Sequence, residues 1–465
     1  MKMLLIRPKN VLDIVRHGKA LMSQLGLAAV AALAPKRFET RIVDENVEPL
    51  DFDAPTDLVG ITATTPCAPR AYEIGDEFRR RSRFVFMGGP HPSLMPEEAL
   101  QHADAVVIGE AEGAADRLFE DILAGRPRRI YKAEQLPDLS RLPSPRRDLL
   151  RGHGFIETIE TSRGCPHNCT FCSATLLFGK RYRFRPVSHV MDEVRRVRRK
   201  FVFFSDDNIF GKPSRAKELL SAVNDAGVRW IGQGCINFID DEELLELTAR
   251  SCDGIFVGFE SLCPDSISEA GKRVNRTHTP EEAVEKIHDA GIPIMGAFII
   301  GFDSDSPDVC ERTRDFIERS GIEAPQVTIL TPYPGTVLRT RLEAEGRILN
   351  SDWSRYTAMQ VVHQPLIRLA DGTHMSAEAL KRAYDAMCDK LYSLRAILRR
   401  VWRARSRLTV RRMITYLSMN LYYRSVYRIS RGEPPVIAHD RSGPMSHTTS
   451  STASACAPAT SPASS

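Results

Sequence analysis

Short apolar runs alternate with helical stretches through the first 345 residues, and this alternation restricts the chain to parallel-sheet α/β architecture. In the first part the strand candidates are residues 3–6, 40–44, 57–62, 84–88 and 104–109, each ending in polar residues or glycine. Helical patterns lie between them at 68–81, 96–102 and 111–124, and one rich in small apolar residues ends near Ala34. This predicts an open, doubly wound, Rossmann-like domain over residues 1–132. Residues 133–153 hold three prolines and little periodicity, and read as a linker packed on the surface. A second alternating run follows. Its strands are expected at 156–160, 201–205, 228–232, 254–259, 293–300 and 326–330. Its helices are expected at 187–200, 214–226, 240–250, 280–290, 306–320 and 336–345. Six βα units are too few for a full eightfold barrel. They predict a partial (β/α)6 barrel over residues 154–345, with an open six-stranded sheet as the alternative. Residues 346–432 are expected to form a helical C-terminal extension, and residues 433–465 a disordered tail rich in Ser, Thr, Ala and Pro.

Composition narrows the class. With 42% hydrophobic and 26% charged residues, the chain has enough apolar surface to build cores. No apolar run is long enough to span a bilayer. A net charge of +5 is small for this length and does not by itself argue for nucleic-acid binding. No secretory signal is visible, so a reducing cytoplasmic location is expected and a disulfide framework is not.

Seven of the ten cysteines are scattered; Cys165, Cys169 and Cys172 fall within eight residues, directly after the first strand of the second run. Three thiolates on one short loop suit a soft metal centre. A tetrahedral zinc would need a fourth ligand from elsewhere, and His167, lying between two of the cysteines, is awkwardly placed for that. A four-iron cluster held by three ligands leaves one iron open to a substrate or cofactor.

The Cys-x-x-x-Cys-x-aromatic-Cys pattern at the first strand of a partial βα barrel resembles the radical S-adenosylmethionine enzymes, over roughly residues 150–345. That resemblance implies a [4Fe–4S] cluster on Cys165, Cys169 and Cys172. Its open iron would chelate the amino and carboxylate groups of S-adenosylmethionine, whose reductive cleavage gives a 5′-deoxyadenosyl radical. It further implies Phe171, Asp206, Asp207, Glu260, Ser261 and Gly301 as contacts for S-adenosylmethionine. Asp206 or Asp207 stands where the family has a Gly-Gly-Glu-like stretch, although a helix N-cap cluster reads the same way. Glu260 ends the fourth strand, pointing into the barrel mouth or capping the next helix. Gly301 closes a glycine motif on the fifth strand.

The first domain resembles the cobalamin-binding domain that precedes the radical domain in one large subfamily. Thr62, Thr64, Gly88, Gly89, Gly109 and Glu110 are then the expected cobalamin contacts, at the carboxyl edge of the sheet. The Asp-x-His-x-x-Gly signature is absent, so no protein histidine is expected on the cobalt; a degenerate domain that binds nothing is the alternative. Together these features resemble the branch that methylates polycyclic lipids or tetrapyrroles. The implied activity is methyl transfer to an unactivated carbon of a hydrophobic small molecule. The implied reductant is of the flavodoxin or ferredoxin class. A radical cyclase or rearrangement enzyme, and a sensor without turnover, are the rival readings. Residues 392–431 hold eleven arginines and no Asp or Glu. Leu394, Ile397, Leu398, Val401 and Trp402 recur there at helical spacing. That segment is expected either to cap the barrel or to touch an anionic membrane surface; nucleic acid is the least favoured partner.

Overall fold

The computed structural model describes residues 1–9, 25–152, 156–197 and 201–433. The last residues of the helix expected at 187–200, and the tail expected to be disordered, lie outside the described residues apart from Glu433. The first sheet is all parallel and comprises β1 (Lys2–Arg7), β2 (Glu39–Asp44), β3 (Leu58–Thr62), β4 (Phe84–Gly88), β5 (Ala105–Ile108) and β6 (Ile130–Lys132), in the order β2-β1-β3-β4-β5-β6. Alternation along each strand feeds two cores. Met3, Leu5, Leu58, Phe86 and Val107 face the helices Leu25–Leu33 and Ala115–Leu123. Leu4, Ile6, Val59, Ile61, Val85 and Val106 face Ala68–Arg80 and Pro96–His102. Helices on both faces make the domain doubly wound, and the order reverses between β1 and β3, where such sheets bind ligands. β6 was not foreseen: three residues with one buried side chain leave no readable period.

The second sheet contains β7 (Glu157–Ile159), then, after a short ribbon of β8 (Ser162–Arg163) and β9 (Arg183–Phe184), β10 (Phe201–Phe204), β11 (Arg229–Gly234), β12 (Cys252–Glu260), β13 (Ile294–Ile300) and β14 (Ala324–Ile329). β7 and β10 to β14 pair in sequential, parallel order, with a helix after each expected unit, which is a partial barrel. Val202, Phe204, Ile255, Val257, Ile294 and Phe298 pack outward against the helices. Phe201, Phe203, Ile231, Phe256 and Met295 point inward. The helix starts carry their own signals. Thr279 and Glu282 form a reciprocal capping box, and the side chains of Asp241 and Thr336 each accept from a first-turn N–H.

Residues 346–375 hold isolated bridges, Ile348 with His363 and Arg368 with His374, where helix was expected. The helices after them, Ala377–Leu391, Leu394–Arg403 and Val410–Ser430, floor the barrel. Tyr416, Leu408 and Ala404 enter the barrel's inner core beside Ile156, Ile231 and Met295. Tyr416 donates to the Asp253 carbonyl at 3.0 Å; a Cβ at Gly254 would lie 2.1 Å from the Tyr416 hydroxyl oxygen, so that position must be glycine. Arg412 bonds the Asp253 carboxylate at 3.0 Å and the Cys252 carbonyl at 2.6 Å, while Arg400 holds Asn420 at 2.5 Å. The inner face of 392–431 therefore caps the barrel, as one of the two expectations for it had it. Arg412 is spent on strand-start groups and Arg400 on Asn420 and the Leu391 carbonyl, while the outer apolar side chains Leu394, Leu398, Trp402, Val410 and Ile414 stay exposed. No helix among the described residues is long and apolar enough to cross a membrane.

Candidate active site

The three cysteines lie between the β8–β9 ribbon and the short helix Ala174–Phe178, all partly buried and none in a disulfide. Their loop is pinned from the far side of the barrel. Thr170 N donates to Ala270 O at 2.9 Å, Leu338 N to Thr170 O at 2.9 Å, and Phe171 packs edge-on to Phe302 at 6.3 Å. Burial pushes the Cys169 thiol up to about 12, with the neighbouring Cys172 and Cys165 adding to it. Bare thiolates are thus disfavoured, and soft metal ions that bind them deprotonated would relieve the cost. The donor set fits an iron–sulfur cluster.

The paired aspartates after β10 divide. Asp206 is 1% exposed, and its carboxylate accepts from Thr161 N at 3.1 Å, Thr161 Oγ1 at 3.0 Å and Ser162 Oγ at 2.5 Å. It holds the strand that leads to the cysteines and has no acceptor to offer a cofactor. Asp207 makes no hydrogen bond or ion pair with another described residue; burial and the neighbouring Glu160 raise it to about 6. Of the two, Asp207 faces the cysteine side, within electrostatic range of Cys165 and Cys172.

Glu260 ends β12 with φ +64°, after a register shift between Gly258 and Glu260. A non-glycine residue held there stores on the order of 1–3 kcal/mol of strain. The strain is balanced by Lys272, whose ammonium donates to Glu260 Oε1 at 2.6 Å and to Gly258 O at 2.7 Å. Asn275 adds bonds to the Gly258 and Phe259 carbonyls at 2.8 and 2.9 Å. Burial alone would push Lys272 down, yet Glu260 and the cysteines around it keep it raised. Sequence reading missed Lys272, because a lone lysine twelve residues beyond a strand carries no pattern. It also missed Asp305, which burial raises to about 6. Asp305 accepts from Ser266 Oγ at 2.6 Å and Gly301 N at 2.8 Å. Ser261 lies 3.5 Å from the same carboxylate and accepts from Cys263 N at 3.1 Å. Ser261 and Gly301 are therefore brought together by Asp305, and their polar groups serve the loop after β13.

A cavity of about 270 Å³ opens at the carboxyl edge of the first sheet, walled by Leu5, Ile61, Val107 and Phe119 and reached past Thr62, Gly88, Gly89 and Gly109. Its polar rim joins both domains, with Glu112 on one side and Glu160, Arg163 and Ser205 on the other. The linker lines it as well, through Leu142, Pro143 and Pro145, so it is a wall of the site rather than a surface strap. A Cβ at Gly88 would meet Val107 at 3.6 Å and one at Gly109 would meet nothing within 4 Å, which leaves room for a bulky planar cofactor to approach the backbone. Thr64 does not line this space; its hydroxyl is 3.3 Å from the Cys67 thiol. Glu110 does line it, but its carboxylate is taken by Arg163 and Arg183 and is not free for cobalamin. His91, in the Gly-Gly-Pro-His-Pro segment, is fully buried on the other face of the sheet. It lies 3.1 Å from the Tyr72 hydroxyl and 5.2 Å, ring to ring, from Trp353.

Comparison with known proteins gives the class. Residues 159–317 match the Radical SAM superfamily, and residues 11–119 match the B12 binding domain. The chain is 33% identical over 416 residues to the bacteriochlorophyllide d C-12(1)-methyltransferase of Chlorobaculum tepidum, covering 86% of this chain and 89% of that one. It is 28% identical to the hopanoid C-2 methylase of Rhodopseudomonas palustris, covering 81% and 75%. In fold it resembles the radical S-adenosylmethionine methyltransferase TsrM of Kitasatospora setae with cobalamin and [4Fe–4S] cluster bound, with a TM-score of 0.62, 20% identity, and 82% and 85% of the two chains covered. The chain belongs to the cobalamin-dependent radical S-adenosylmethionine methyltransferases. It is an enzyme whose cofactors are a [4Fe–4S] cluster, S-adenosylmethionine and cobalamin.

Proposed function

We propose that the substrate is a tetrapyrrole and that the methyl group goes to an unactivated carbon on its periphery. One observation carries this reading: similarity to a bacteriochlorophyllide methyltransferase runs at 33% across 86% of the chain, while the hopanoid methylases stand at 28% and 27%. When bound, the cofactors supply reductive cleavage of S-adenosylmethionine and carriage of the methyl group. The chain's own residues hold and orient them. Cys165, Cys169 and Cys172 ligate the cluster. Asp207 is the acceptor offered to the cationic amino end of S-adenosylmethionine, and Lys272, steadied by Glu260, lends positive charge toward its carboxylate. Phe171 shields the loop from water. Thr62, Gly88, Gly89 and Gly109 line the approach of cobalamin. A small redox protein of the flavodoxin or ferredoxin class is the proposed electron donor. Contact with an anionic membrane, where such a substrate partitions, is proposed for the outer face of Leu394–Arg403. There Leu394, Leu398 and Trp402 are half or more exposed beside Arg395 and Arg399.

The test is an anaerobic assay with reductant, cobalamin and methyl-labelled S-adenosylmethionine, offering a chlorophyllide-type macrocycle and a hopanoid in parallel. Label is expected in the macrocycle, with both 5′-deoxyadenosine and S-adenosylhomocysteine formed. Label in the hopanoid alone would overturn the substrate class. Substrate turnover with 5′-deoxyadenosine alone and without cobalamin would point to cyclisation or rearrangement.

A further inference from the structure

Two arginines stand directly opposite each other on the antiparallel ribbon, Arg163 on β8 and Arg183 on β9. Like charges in that register repel, and their side chains are only 10% and 18% exposed. The carboxylate that reconciles them comes from the other domain. Glu110, 1% exposed and placed just after β5, accepts from Arg163 Nη1 at 2.5 Å and from both terminal nitrogens of Arg183. Arg163 also pairs with Glu112 at 2.7 Å and Glu160 at 2.9 Å; Arg183 also donates to the Pro137 carbonyl at 2.9 Å and the Phe178 carbonyl at 3.1 Å. The ribbon runs straight into Cys165 through Gly164, which holds φ +88° and leaves no room for a side chain, since a Cβ there would lie 2.3 Å from Arg181 O. The same glutamate edges the cavity at the first sheet. A shift of Glu110 therefore reaches the cluster loop through two residues of backbone.

We infer that Glu110, Arg163 and Arg183 are positioning residues that couple the cobalamin-binding domain to the cysteine loop, so that cobalamin and S-adenosylmethionine each tighten the other's binding. Such coupling is reciprocal by thermodynamic necessity. The bridge needs its anion: without Glu110, two guanidiniums face each other across the ribbon with only Glu112 and Glu160 nearby.

The experiment uses the full chain, reconstituted anaerobically with iron and sulfide. Hydroxocobalamin is titrated by its visible spectrum with and without saturating S-adenosylmethionine, and S-adenosylmethionine is titrated by equilibrium dialysis with and without cobalamin. In the unmodified protein each ligand should tighten the other by the same factor, at least about fivefold. Glu110→Gln should bring that factor close to one while the iron content holds. Adding Arg183→Gln to Glu110→Gln should recover thermal stability, because the opposed cation is gone, but not the coupling. The Co(II) electron paramagnetic resonance signal reports the same geometry: its relaxation should quicken when the cluster is reduced in the unmodified protein, and less so in Glu110→Gln. A factor of one in the unmodified protein, or an unchanged factor in Glu110→Gln, overturns the inference. If Glu110→Gln fails to hold iron, the double variant is read in its place, and unchanged coupling there overturns it equally.

Discussion

Replacing Gly88 by Leu should remove cobalamin while leaving the fold intact. Gly88 ends β4 outside the left-handed backbone region, and a Cβ there meets Val107 at 3.6 Å, an ordinary contact. The unliganded variant should therefore stay within about 1 kcal/mol of the parent, while its side chain enters the cavity of about 270 Å³. Cobalamin at one hundred times its Kd stabilises a protein that binds it by about 2.7 kcal/mol. At roughly 2–4 °C per kcal/mol for a unit of this size, that is a Tm rise of about 5–11 °C. Circular-dichroism melts with and without hydroxocobalamin should show this rise in the parent and not in Gly88→Leu. The neighbouring glycine is the control. Gly89 has φ +91°, and a Cβ there would lie 2.5 Å from Thr62 Oγ1, so Gly89→Leu should lower the Tm even without ligand. In product assays Gly88→Leu should suppress S-adenosylhomocysteine and spare most 5′-deoxyadenosine. A Gly88→Leu protein that keeps the full cobalamin-induced rise would refute the placement of the cofactor.

Substituting Cys165, Cys169 and Cys172 together by Ala should abolish the binding of about four irons and the broad sulfur-to-iron absorption; zinc bound in place of iron, without that absorption, would count against the cluster. Lys272→Met strands Glu260 without its partner and should cost about 3–5 kcal/mol in urea unfolding. Adding Glu260→Gln should restore most of that stability without restoring S-adenosylmethionine affinity in dialysis, and full affinity in the pair would remove Lys272 from the site. Leu398→Glu with Trp402→Glu should reduce sedimentation with anionic vesicles, a binding that salt already weakens; unchanged sedimentation would leave this face purely structural. His363 is 1% exposed, and burial pushes it down to about 4. Its folded pKa lies below its unfolded one, so stability is present above pH 6.5 and lost as pH falls through 4. The loss is about 3 kcal/mol by linkage; His363→Gln should flatten that acid limb, and an unchanged limb would assign it elsewhere.

Strand alternation made most of the architecture legible, because a parallel sheet covered by helices demands near-continuous apolar runs of fixed length. The elements that escaped were those with too few residues to show a period: β6, and the β8–β9 ribbon with two residues on each side. The cysteines were legible because chemistry dictates their spacing. The carboxylates were not, because a sequence does not reveal which donor a carboxylate has already met. Asp206 and Asp207 are adjacent and identical in type, yet Thr161 and Ser162 consume one and leave the other. Glu110 likewise sat at the expected sheet edge, but its partners lie 53 and 73 residues away on a ribbon that no local pattern announced. The partners of the C-terminal arginines were hidden for the same reason. Arg412 and Arg400 look like a solvated basic face until their buried partners are known, the strand-start Asp253 for one and the Leu391 carbonyl and Asn420 for the other.

The barrel's two ends are thus treated in opposite ways. Its amino end is closed by a helix whose Tyr416, Arg412 and Asn420 bond strand-start backbone at Asp253, Cys252 and Glu323, which fixes the strands where no chemistry is required. Its carboxyl end is held by charge: Lys272 against Glu260, and Arg163 and Arg183 against Glu110. Buried ion pairs add little net stability over an apolar core, but they specify geometry, since any slip leaves a charge uncompensated. A reaction that must bring substrate to both a cluster and a methyl carrier needs that specification more than it needs stability. Trp353 provides the second point of attachment, donating to Glu98 of the first domain at 2.8 Å. With joints at Glu98 and Glu110, the first domain is held over the barrel mouth at two separate places.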